Sequence, residues 1–138
     1  MVAPKLRFQE FDDAWSNSKI DDIAVVTSGG TPSRSNLTFW DGNIPWVTTS
    51  LVDFNIIQSA EEFITQKGLD NSSAKLFPKN TILMAMYGQG ITRGKVAILG
   101  IDATTNQACA AIKLQSNYDT DFIFKYFWSC YEGVCVLS

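Results

Sequence analysis

The chain has 138 residues, of which 46% are apolar and 18% charged, with a formal net charge of −3 and no histidine. That length and balance fit one folded domain with a real core and exclude a disordered tail. The lack of histidine removes Ser-His and Cys-His catalysis and most zinc sites, and no apolar run approaches the roughly 20 residues of a membrane span.

The N-terminal stretch MVAPKLRFQEF has no apolar core of the kind a signal peptide needs. Cys109, Cys130 and Cys135 lack metal-ligand spacing, which predicts free, mostly buried thiols in a cytoplasmic protein. Charge is spread unevenly. Glu10, Asp12, Asp13, Asp21 and Asp22 load the start with acid, whereas residues 71–100 carry Lys75, Lys79, Arg93 and Lys95 and no acid. A local basic face suits phosphate contact even when the net charge is negative. The same residues also fit a solvated basic edge.

In chain order, residues 4–15 read as an extended lead-in that Leu6, Phe8, Phe11 and Trp15 could strap to the body. Ser18 as N-cap with Asp21 and Asp22 in the first turn predicts a helix over 19–24. A short strand follows at 25–27. Residues 28–36, SGGTPSRSN, form the longest small-polar stretch and must be loop. The loop is either a plain connection or a groove in which Thr31, Ser33 and Arg34 meet a phosphate. Asp41-Gly42 signals a turn before a strand at 44–48, with Pro45 at its start where no ladder donor is needed. Trp40 and Trp46 are expected in the core. Ile56-Ile57 and 62–64 are weaker strand candidates, and Thr65 is positioned to cap a short helix running unevenly toward Leu76.

Residues 81–99, TILMAMYGQGITRGKVAIL, read as two apolar strands joined by a glycine-rich polar turn. The turn can present Tyr87, Gln89, Thr92 and Arg93 at a surface, because glycine lets backbone approach a ligand closely. An aromatic, an amide, a hydroxyl and a guanidinium at a hairpin tip suit nucleic acid; the alternative is a tight hairpin with incidental polar residues. Two nucleotide motifs fail on spacing. Five residues separate Gly88 from Gly94 and Val96 follows Lys95, so this is no P-loop. Arg93 stands where the dinucleotide fingerprint needs its third glycine. Asp102–Thr105 read as a turn, 109–114 as a strand, and Asp119–Asp121 as the cap of a last helix ending near Tyr131. That helix is apolar nearly all round, so it must be buried against something. Its position predicts an interface or a continuation of the chain.

The motifs, taken in order, carry a resemblance: Pro4-Lys5-Leu6-Arg7-Phe8 with Trp15, then GGTPS at 29–33, WDGNIPW at 40–46, Asp53, Gly68-Leu69, KLFP at 75–78, TIL at 81–83, GKVAI at 94–98 and TNQAC at 105–109. From about Pro4 to Tyr131 the chain resembles the target-recognition domain of a type I restriction-modification specificity (S) subunit. The resemblance implies a mixed α/β domain with a curved mixed sheet, a few short helices and an apolar C-terminal helix leading toward a spacer helix. It implies double-stranded DNA as ligand, with methyltransferase (M) and restriction (R) subunits as partners. The apolar last helix adds a contact to another specificity chain or a second copy. Such subunits carry two recognition domains on long spacer helices. Here one domain occupies residues 1–138, and the second domain and spacers are absent, which predicts an isolated domain or a truncated product.

No catalytic site is expected. The chain has no Pro-Pro for a methyltransferase motif, and Asp53, Glu61 and Glu62 do not match a metal nuclease and read as solvated. No metal or cofactor is expected either. Arg34, Lys75, Lys79 and Lys95 are the phosphate-contact candidates, with Thr31 and Ser33 beside them, and Tyr87, Gln89, Thr92 and Arg93 the base-edge candidates. The other functional reading is an assembly module that binds methyltransferase or another specificity chain without reading DNA.

Overall fold

The computed structural model describes residues 20–87 and 93–132. After a short helix α1 (Ile20–Ile23) the chain forms β1 (Ala24–Ser28), β2 (Trp40–Val47), β3 (Ile56–Ile57) and β4 (Glu62–Ile64). There follow α2 (Gln66–Asp70), β5 (Ile82–Ala85), β6 (Val96–Leu99), β7 (Thr104–Thr105), β8 (Cys109–Leu114) and α3 (Thr120–Tyr131). The lead-in at 4–15, together with Gln89 and Thr92, lies outside the described residues.

Five strands form a mixed sheet in the order β1-β8-β5-β6-β3, and three form a second sheet in the order β4-β2-β7. The expected hairpin is the antiparallel pair β5–β6, in register at Ile82↔Ile98 and Met84↔Val96. Its strands are apolar at every position because both faces of the sheet are covered. Leu83, Ala97, Leu99, Cys109 and Ala111 join Val47, Val52 and Phe77 on one side. Ile82, Val96, Ile98 and Ile112 meet Ile23, Ile123, Phe124 and Phe127 on the other. Trp46, Ile64 and Ala74 centre a smaller cluster in the three-stranded sheet.

The all-round apolar character of α3 has an internal explanation. Ile123, Phe124 and Phe127 are buried against the large sheet, and Trp128 stacks on Phe54 at 4.9 Å. Asp119 caps the helix, its Oδ1 accepting from the amides of Asp121 and Phe122. The composition of this helix therefore needs no outside partner to account for it.

Four local expectations differ from what forms. Asp41-Gly42 does not turn the chain back: it lies inside β2, where Asp41 at φ 63° accompanies a register shift between Trp40 and Ile44. Pro45 falls late in that strand, and the ladder to β7 begins only at Trp46, past the residue without an N–H. Residues 104–105 are the strand β7 and not part of a turn; Thr105 Oγ1 donates to Val47 O at 2.7 Å. Cys109 is a free, buried thiol, whereas Cys130 is disulfide-bonded.

Candidate nucleic-acid interface

The loop after β1 is fixed by the two tryptophans near the two ends of β2. Trp46 donates its indole N–H to Gly30 O at 3.0 Å, and Trp40 donates its own to Ser33 O at 3.0 Å. The two rings meet edge to face at 5.1 Å. GGTPS and WDGNIPW are thus two halves of one arrangement, the second holding the backbone of the first.

Gly29 and Gly30 run against the segment between β7 and β8. Gly29 N donates to Cys109 O at 3.3 Å and Gly30 N to Thr105 O at 2.8 Å. A Cβ on Gly29 would lie 2.1 Å from Thr105 O, so only glycine permits this approach. Beyond it, Thr31 Oγ1 donates to Gln107 Oε1 across 76 residues of sequence. The hairpin reaches the same place from the other side, since Met86 N donates to Ala108 O at 2.8 Å. Tyr87 follows, 67% exposed. Arg93 is exposed where the chain returns, and Gly94, at φ 93°, donates its N–H to Ala85 O. Thr31, Tyr87, Arg93 and Gln107 therefore cluster at one end of the large sheet.

The cationic candidates divide. Arg34 grips Glu62 through two bonds of 2.6 and 3.2 Å, and its guanidinium lies 4.0 Å from the Trp40 ring centre and 4.9 Å from that of Trp46. Lys95 donates to Asp53 at 2.9 Å and its side chain is 20% exposed. Both charges are matched by carboxylates, Glu62 and Asp53, which are solvated as expected and also ion-paired. Ser33 Oγ shares a hydrogen bond with Ser35 Oγ at 2.9 Å. Lys75 is exposed one residue beyond Ala74, whose backbone packs on Gly30. Lys79 lies in the turn before β5, at the end of that strand opposite Ala85, and is held there through its amide by Asp102. The structure thus brings Thr31, Tyr87 and Arg93 together, with Lys75 in the segment that packs on Gly30, and leaves Lys79 away from them. Among the described residues no group of acids and cysteines could hold a metal ion, and no helix is long and apolar enough to cross a membrane.

The hydrogen bond from Arg34 holds the Glu62 carboxyl below its ordinary range. A lowered folded-state pKa stabilises above the ordinary value of about 4.3 and loses that effect as pH falls through the lowered one. Both partners are substantially exposed, so we expect Glu62→Gln to change unfolding free energy by less than about 1 kcal/mol at neutral pH. Urea titrations at neutral and acid pH check this: the gap between wild type and variant should close in acid.

The chain matches the family model of the type I restriction modification DNA specificity domain over residues 12–138. It belongs to that family. It is 29% identical to the Escherichia coli type I restriction enzyme EcoR124I/EcoR124II specificity subunit over 121 residues, which is 86% of this chain and 30% of that subunit. It is 33% identical over 116 residues to the MjaIX specificity subunit of Methanocaldococcus jannaschii, covering 82% of this chain and 26% of the relative. The specificity domain therefore spans under a third of those relatives' lengths. Its fold matches the HsdS subunit from Thermoanaerobacter tengcongensis with a TM-score of 0.64 at 10% identity, over 85% of this chain and 28% of that one.

Asn106 and Gln107 stand out in the sequence only as part of TNQAC at 105–109. The signal that they do more is the pair of amides standing between two strands beside an uncharged stretch, and it became legible once the Thr31 bond brought Gln107 to the hairpin.

Proposed function

We propose that this specificity domain is a DNA-reading module that recognises part of a target site for methyltransferase and restriction subunits, and that it performs no chemistry itself. The carrying observation is the convergence of Thr31, Tyr87, Arg93 and Gln107 at one sheet end, within a chain whose relatives are specificity subunits of type I restriction enzymes. Arg93 is the base-edge candidate here, since its guanidinium can bond guanine in two places. Gln89 and Thr92 stay in the proposal on sequence grounds. Lys75 is the phosphate candidate, exposed and near the loop after β1.

The test is selection from a randomised duplex pool followed by affinity measurement over a salt series, in a complex assembled with the methyltransferase. Arg93→Ala should cost on the order of 1–3 kcal/mol on the selected site and much less on random duplex. Lys75→Ala should weaken both equally and flatten the slope of log K against log salt by up to ~0.9. Methyl transfer by the chain alone, or an Arg93→Ala ratio of specific to random binding equal to wild type, would overturn the respective parts of the proposal.

A further inference from the structure

We propose that Gln107, oriented by Thr31, is a fixed hydrogen-bond donor to a DNA phosphate and anchors the domain on the duplex backbone without reading sequence. This assignment rests on the DNA-reading function above and adds a residue that charge and hairpin geometry do not single out.

Gln107 is exposed at the apex of a turn whose backbone has little freedom. Thr105 O accepts from Gly30 N, and Asn106 N donates to Val47 O. Asn106 Oδ1 accepts from Ala108 N at 3.1 Å, and Ala108 O accepts from Met86 N. Three stretches of chain converge on these few residues, so the position of Gln107 is set by the fold. Its side chain is set by Thr31, whose hydroxyl donates to Oε1. That bond engages the amide's acceptor, and among the described residues its two N–H donors meet no partner. A group that presents donors suits phosphate oxygens, which only accept. Reading adenine would require Oε1 to accept from the base as well as from Thr31. Neither the turn nor the facing loop opposes phosphate: residues 103–112 and 28–33 carry no charged side chain.

The chain, assembled with the methyltransferase as above, is tested by fluorescence anisotropy on a randomised duplex pool over a salt series, with sequencing of the retained duplexes and a melting curve for each variant chain. Gln107→Ala should weaken binding about tenfold. The retained sequences and the salt slope should not change, because a neutral amide displaces no counterion. Gln107→Glu keeps an acceptor for Thr31 but loses both donors and adds a negative charge, so it should bind more weakly than Gln107→Ala while melting like wild type. Thr31→Val should weaken binding through loss of orientation, and Thr31→Ser should restore it, which a purely structural role for the threonine methyl would not allow. Wild-type affinity in Gln107→Glu overturns the assignment. So does a change of retained motif in Gln107→Ala, which would make Gln107 a base reader. Failure of the wild-type chain to retain any duplex overturns the DNA-reading function itself, a result distinct from either.

Discussion

Replacing Trp46 by Ala should cost about 3–5 kcal/mol of folding stability, the range for removing a buried large aromatic. Trp46 is only 3% exposed and anchors the cluster with Ile64 and Ala74. Its loss opens a cavity between β2, β4 and the 73–74 backbone, and it strands Gly30 O without the indole donor. Against a total stability of roughly 5–15 kcal/mol, that leaves a substantial unfolded population in mild denaturant. Trp46→Phe separates the two contributions: it retains most of the ring packing and loses the hydrogen bond, for about 1 kcal/mol. Urea unfolding of the two variants beside wild type provides the measurement. A Trp46→Ala cost near that of Trp46→Phe would mean that packing at this position contributes little, contrary to the burial.

Gly29→Ala should be nearly as damaging, on the order of 3 kcal/mol, through overpacking. The added methyl would meet Thr105 O at 2.1 Å and Asn106 O at 2.4 Å. These are backbone atoms of a strand end and cannot rotate aside as a side chain can. Relief requires opening the bonds from Gly29 to Cys109 and from Gly30 to Thr105, which moves the 105–108 turn away from Thr31. The same substitution should therefore lower DNA affinity at temperatures where the chain is still folded. Ser28→Ala, at the exposed neighbouring position, is the control and should stay within about 0.5 kcal/mol. Chemical unfolding and amide exchange at Thr105 to Cys109 would report both effects. Equal stability of Gly29→Ala and Ser28→Ala would refute the close approach.

The elements with strong local signals were legible in the sequence. The uninterrupted apolar runs of β5 and β6 announce strands buried on two sides, and Asp119 and Thr65 announce helix starts that form where expected. What sequence could not supply were the choices made by partners far along the chain. Asp41-Gly42 has turn chemistry, yet the pairing of β2 with β4 absorbs the positive φ of Asp41 as an irregularity within the strand. Arg34 and Lys95 look like free cations until Glu62, 28 residues away, and Asp53, 42 residues away, are placed against them. Gln107 is marked in the sequence only by its place in TNQAC. Its place beside Thr31 comes from an encounter between loops that only the sheet order creates. The motif series was informative for the same reason in reverse, because GGTPS, WDGNIPW and TNQAC are stretches that touch one another.

The end of α3 meets the root of the hairpin. Tyr131 lies so close to Gly94 that a Cβ there would be 3.3 Å from its ring, and the same ring packs edge-on against Phe54 at 4.9 Å. Phe54 follows Asp53, the residue that grips Lys95 at the first step of the returning strand. Helix, loop and hairpin thus share one tightly filled joint, and a packed interior compresses very little. In mechanical terms α3 is a lever arm seated on the element that carries Tyr87 and Arg93. A load that tilts its final turn must displace the hairpin root or break the joint.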